Sequence, residues 1–66
     1  MKQLGNLAIV CAQRNDLTFV MLRGLVNVIA RSGENFYDTL TVAWDDDETI
    51  SAIIHELNFG KYAEKA

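Results

Sequence analysis

The sequence predicts an α+β domain in which a three-stranded antiparallel meander is followed by one C-terminal helix, in the order βββα. Three observations lead there. Apolar residues alternate with period two through residues 17–31 and again through 36–44. Turn-forming residues, Asn15-Asp16 and Ser32-Gly33-Glu34-Asn35, separate the apolar runs. Ile50, Ile53, Ile54 and Leu57 recur at the i, i+3, i+4, i+7 spacing of an amphipathic helix.

Taken in order, residues 4–13 form an apolar run read as the first strand, closed by a tight hairpin at Asn15-Asp16 that sets Cys11 opposite Val20 and Ile9 opposite Leu22. Residues 17–31 are read as one long second strand. Its even positions, Thr18 to Ala30, are almost wholly apolar, while Arg23, Asn27 and Arg31 fall on the odd face. A helix is the competing reading, because those three polar residues also lie four apart. A third strand over 36–44, reached by an odd-length loop at Gly33-Glu34-Asn35, pairs Val28 with Leu40 and Val26 with Val42, and lays Trp44 across Gly24. The helix is expected over 46–59, with Asp45 as N-cap, Glu48 three residues on, and Gly60 as a left-handed C-terminal cap beside Lys61. Residues 61–66 are read as frayed. The predicted core joins this helix to a sheet face made of Leu7, Val20, Val26 and Val42.

A chain of 66 residues makes a single domain, since one this small buries only about 60% of the surface its unfolded form exposes. Half of its residues are hydrophobic, which argues against disorder. The lone Cys11 excludes an internal disulfide and a multi-cysteine zinc site. A formal charge of -3, from six basic and nine acidic residues, gives no electrostatic reason to bind nucleic acid. No targeting pattern is apparent, and the most apolar window, 17–30, is interrupted by Arg23 and Asn27 and is shorter than the roughly 20 residues of a membrane span. The expected compartment is the cytoplasm.

The acidic run Asp45, Asp46, Asp47 and Glu48 reads first as helix capping. As a calcium loop it fails, because Ile50 stands where the sharp turn needs glycine. A magnesium site lacks a glycine-rich phosphate cradle. The run could instead dock on a basic protein surface as a phosphate mimic. His55 is expected to face solvent with only Ser51 one turn away, and Cys11 to be a buried small hydrophobe, so neither suggests catalysis. No enzyme activity, cofactor or metal is expected.

The face of the sheet away from the helix is more telling. There the predicted pairing gathers Val10, Phe19, Met21, Leu25 and Ile29, rimmed by Arg23 and Arg31, a composition typical of interface centres. The competing reading is a sheet that curls at Gly24 and buries part of that face. The expected function is therefore a non-enzymatic protein–protein interaction module, a homodimer or a subunit of a complex, using this face. The alternative is a small acidic inhibitor of a host nucleic-acid-handling defence protein, as encoded by phages and other mobile elements, acting through Asp45, Asp46, Asp47 and Glu48. A DNA-binding sheet is disfavoured, because Arg23 and Arg31 are too few cations.

Overall fold

The computed structural model describes residues 2–63 and orders them as α1 (Lys2–Ala12), β1 (Leu17–Leu22), β2 (Leu25–Arg31), β3 (Tyr37–Ala43) and α2 (Asp47–Phe59). The class is α+β, with one open antiparallel sheet in the order β1-β2-β3. The chain order is αβββα, because residues expected as the first strand form a helix. Leu4, Leu7 and Cys11 share one face of α1; Leu7 and Cys11 are buried, while Ile9, which a strand would have buried beside them, is 56% exposed. The chain leaves α1 through Gln13 N–H bonds to the Ile9 and Val10 carbonyls and an Arg14 N–H bond to that of Cys11. Cys11 therefore has no strand partner, and the expected hairpin at Asn15-Asp16 is absent.

Residues 17–31 are a hairpin, not one strand. The turn is Arg23-Gly24, with φ of 53° and 78°, the left-handed pair of a two-residue loop whose twist matches the flanking strands. Leu22 then faces Leu25, Met21 faces Val26, and Phe19 faces Val28. Each pair joins an odd position to an even one, so the turn reverses which parity is buried. Leu17, Phe19 and Met21 share a face with Val26, Val28 and Ala30, and Val20 lies on the opposite side from the expected core. Gly24 reverses the chain here and gives no bend for a curling sheet.

The β2–β3 register is as the sequence predicts: Val28 pairs with Leu40 and Val26 with Val42. The loop is longer, running from Ser32 to Phe36 and closed by a Ser32 N–H bond to the Phe36 carbonyl at 3.0 Å. Trp44 does cross Gly24, donating its N–H to the Gly24 carbonyl at 3.0 Å. Its ring lies so near that a Cβ on Gly24 would stand 3.3 Å from Trp44 Cδ1.

The Ile50/Leu57 stripe of α2 is fully buried against Leu7, Val26 and Val28. The N-cap is Asp46, one residue later than expected, accepting from Thr49 N–H at 3.2 Å. Gly60 ends the helix at φ -106°, outside the left-handed region. What requires glycine is space, since a Cβ would stand 1.9 Å from Glu56 Oε2 and 2.9 Å from its Cα. Lys61 and Tyr62, expected to fray, are held. Lys61 N–H donates to Glu56 Oε2 at 3.0 Å and the Tyr62 hydroxyl donates to Asp38 at 2.5 Å. Residues 64–66 of the expected frayed tail lie outside the described residues.

The two helices run parallel over one face of the sheet, because like ends meet like ends. At the N-terminal ends, the Gln3 N–H donates to Asp47 Oδ1 at 3.4 Å. At the C-terminal ends, Arg14 donates to the carbonyls of Leu57 at 2.6 Å and Tyr62 at 2.7 Å, while holding Asp16 with two further bonds. The Arg14 side chain is only 8% exposed, so its loss leaves carbonyls without their donor in a dry setting. Arg14→Ala is expected to lower unfolding free energy by about 2–3 kcal/mol, and Arg14→Lys to recover only part of it, lacking the planar fork; urea denaturation of the three proteins checks this. Two glycines should respond oppositely in the same measurement. Gly24→Ala is expected to cost about 1–2 kcal/mol for the left-handed backbone, whereas Gly5→Ala, with nothing within 4 Å of the added Cβ, should stabilise α1 by about 0.5–1 kcal/mol.

Candidate functional site

The helices cover one side of the sheet and leave the other open. Rows of side chains cross that open face: Leu22, Leu25 and Ala43; then Val20, Asn27 and Thr41; then Thr18, Ile29 and Thr39; and Arg31 with Tyr37. Val20, Leu22 and Leu25 are 44%, 63% and 47% exposed. In the first three of these rows no side chain carries a formal charge. The one polar contact at their centre is closed within the sheet, where Thr41 Oγ1 donates to Asn27 Oδ1 at 2.7 Å. That bond lowers the cost of covering the face, because the hydroxyl proton and one amide acceptor are already paired.

Only part of the expected set lies here. Leu25, Ile29 and Arg31 are on the open face and Arg23 is in the turn at its end. Phe19 and Met21 are on the helix-covered side by the parity reversal at Arg23-Gly24, and Val10 is on α1, packed against the core. Val20, Leu22 and Tyr37 were not expected at this site. The Arg23-Gly24 pair, set between apolar residues inside an overlong strand, was the signal that could have placed them. Arg31 is turned back on its own loop, with Nε donating to the Gly33 carbonyl at 3.0 Å and Nη2 to that of Glu34 at 2.6 Å. A shallow cleft bounded by Asn15, Asp16, Thr18, Ile29, Arg31 and Tyr37 opens at this end of the face.

The acidic run is divided between the caps. Asp46 caps α2 and Asp47 accepts from the first turn of α1, while Asp45 and Glu48 are exposed. His55 is exposed, its ring 5.4 Å from that of Phe59. Burial pushes the Cys11 thiol up, partly opposed by the Arg14 charge, which keeps it a protonated, weakly reactive thiol. Among the described residues no three His, Cys, Asp or Glu side chains gather as a metal site, and no helix is long and apolar enough to cross a membrane. Compared with known proteins, the chain matches no family model, no curated protein and no solved structure.

Two carboxylates are held below their ordinary range. Asp38 is lowered first by the Tyr62 hydroxyl bond and then by Lys61, which lies 3.4 Å away. Asp16 is lowered chiefly by its bond from Arg14. A carboxyl whose folded pKa is depressed contributes stability above its unfolded pKa and loses it as pH falls through the folded one. The Asp16 contribution should therefore be complete at neutral pH, begin to fall near about pH 4 and be lost as pH drops through its lowered folded pKa. Asp16→Asn is expected to be less stable than the parent at pH 7 and to lose less of its stability between pH 5 and pH 2, as read from thermal melts across that range.

Proposed function

We propose that the protein is a non-enzymatic interaction module that self-associates through the open face of its sheet, with a second copy stacked sheet on sheet. The observation that supports this is the uncovered centre formed by Val20, Leu22, Leu25 and Ile29, uncharged and with its Asn27–Thr41 pair already bonded. A sheet stacked on a sheet at about 10 Å interdigitates such side chains as a core does, and apolar interface centres with polar rims have this composition. The cytoplasm remains the expected compartment. Reading the acidic run as a docking patch has less support, because Asp46 and Asp47 are drawn into helix caps.

Molar mass by light scattering over a wide concentration range tests the proposal. The parent should exceed its 7.4 kDa chain mass. Leu25→Asp should lower the assembly state while leaving the far-ultraviolet circular dichroism unchanged, since Leu25 is outside the core. Leu57→Ala, by contrast, should cost about 2–5 kcal/mol of stability. A parent that stays at the chain mass, or a Leu25→Asp variant that assembles like the parent, overturns the proposal.

A further inference from the structure

The sheet has two edges, and they are built differently. β3 carries Asp38 on its covered side, where Tyr62 and Lys61 donate to it. An inward charge of this kind, together with a segment laid over the strand, is how natural edges are kept from pairing with other chains. Among the described residues β1 has no such device. Its six residues, Leu-Thr-Phe-Val-Met-Leu, contain no charge, proline or glycine, and Met21 and Leu22 are 48% and 63% exposed.

The hydrogen-bond phase shows which backbone groups β1 presents. The Trp44 N–H bond to the Gly24 carbonyl fixes the even residues of β2 as those that bond β3. Odd residues of β2 therefore bond β1, through Thr18, Val20 and Leu22. Leu17, Phe19 and Met21 are left turning their N–H and C=O groups to the open edge.

We infer that β1 pairs antiparallel with β1 of a second copy about a two-fold axis, joining two sheets into one of six strands. The inference rests on the reading that the partner is another copy of this chain. A pairing that keeps the covered sides of both sheets together must match odd with odd residues, which are the ones whose backbone groups are open. Val20 against Val20 of the second copy, with Phe19 against Met21, satisfies this and keeps the open face continuous. Antiparallel pairing also sets Arg23, just past one end of β1, opposite Leu17 of the second copy and one residue from its Asp16, in both directions at once. The assembly closes at two along this edge, since the outer strands of the joined sheet are both the guarded β3.

Area points the same way. The open face of three strands of about seven residues spans roughly 24 by 14 Å, a footprint short of the about 800 Å² each partner gives to a standard interface. Joining two faces along β1 doubles it to roughly 670 Å², much nearer that size.

Amide hydrogen exchange by NMR, at concentrations where light scattering shows assembly, tests the edge separately from the face. Stacking leaves in-plane amides untouched, whereas edge pairing bonds those of Phe19 and Met21. These two should exchange at least about tenfold more slowly than Thr39 and Thr41 on the β3 edge, and Met21→Lys should abolish the difference with circular dichroism unchanged. Phe19 and Met21 amides as fast as those of Thr39 and Thr41 in an assembled sample overturn edge pairing; if Leu25→Asp still dissociates that sample, the stacked face stands alone. Protection that survives in Leu25→Asp supports the edge as a separate contact, and the stacked face is overturned if that variant also keeps the parent's molar mass. A parent at the chain mass throughout overturns both.

Discussion

Two parallel helices lying side by side place their partial positive ends together and their partial negative ends together, an arrangement that repels unless charge of the opposite sign is supplied at each end. Here the negative ends meet at one guanidinium. Arg14 leaves α1, reaches the last turn and trailing segment of α2, and is itself oriented by Asp16. Asp47 answers at the other end, with Asp46 capping α2 beside it. Asp46 and Asp47 of the acidic run thereby compensate charge at the helix N-termini.

The second constraint is the parity change at Arg23-Gly24, and it marks where the sequence is legible. Residues 26–31 declare their buried face, because Val26, Val28 and Ala30 alternate with Asn27 and Arg31. Residues 17–22 do not, since both parities are apolar there. Continuing the β2 alternation backwards through the turn assigns β1 to the wrong face. Gly24 and the length of the run together mark the hairpin: strands usually span three to ten residues, and a glycine at positive φ is what a two-residue loop requires. The β2–β3 register, the α2 stripe and the Trp44–Gly24 crossing are legible because each rests on a local pattern with one solution.

α1 is ambiguous for a different reason. Leu7, Ile9 and Cys11 satisfy a strand as well as Leu4, Leu7 and Cys11 satisfy a helix, and a short apolar run cannot choose between them. Tertiary context decides, because the far side of Ile50 and Leu57 needs a second apolar stripe to bury it. For the candidate site, the presence of an uncovered apolar face was readable, and so were Leu25, Ile29 and Arg31 within it. Phe19 and Met21 were exchanged for Val20 and Leu22 by the same parity error, and Val10 left the sheet with α1.

The bonds that dock α1 span long stretches of chain: Gln3 reaches Asp47, and Arg14 reaches Leu57 and Tyr62. The sheet needs only neighbouring hairpins, whose loop closures are short and fast. Because its partners lie so much later in the chain, α1 has to wait, with Leu7 and Cys11 uncovered, until α2 and the segment after it have been made. The hairpins of the sheet can form before either helix docks, and the helix that comes earlier in the chain cannot settle until the later one is in place.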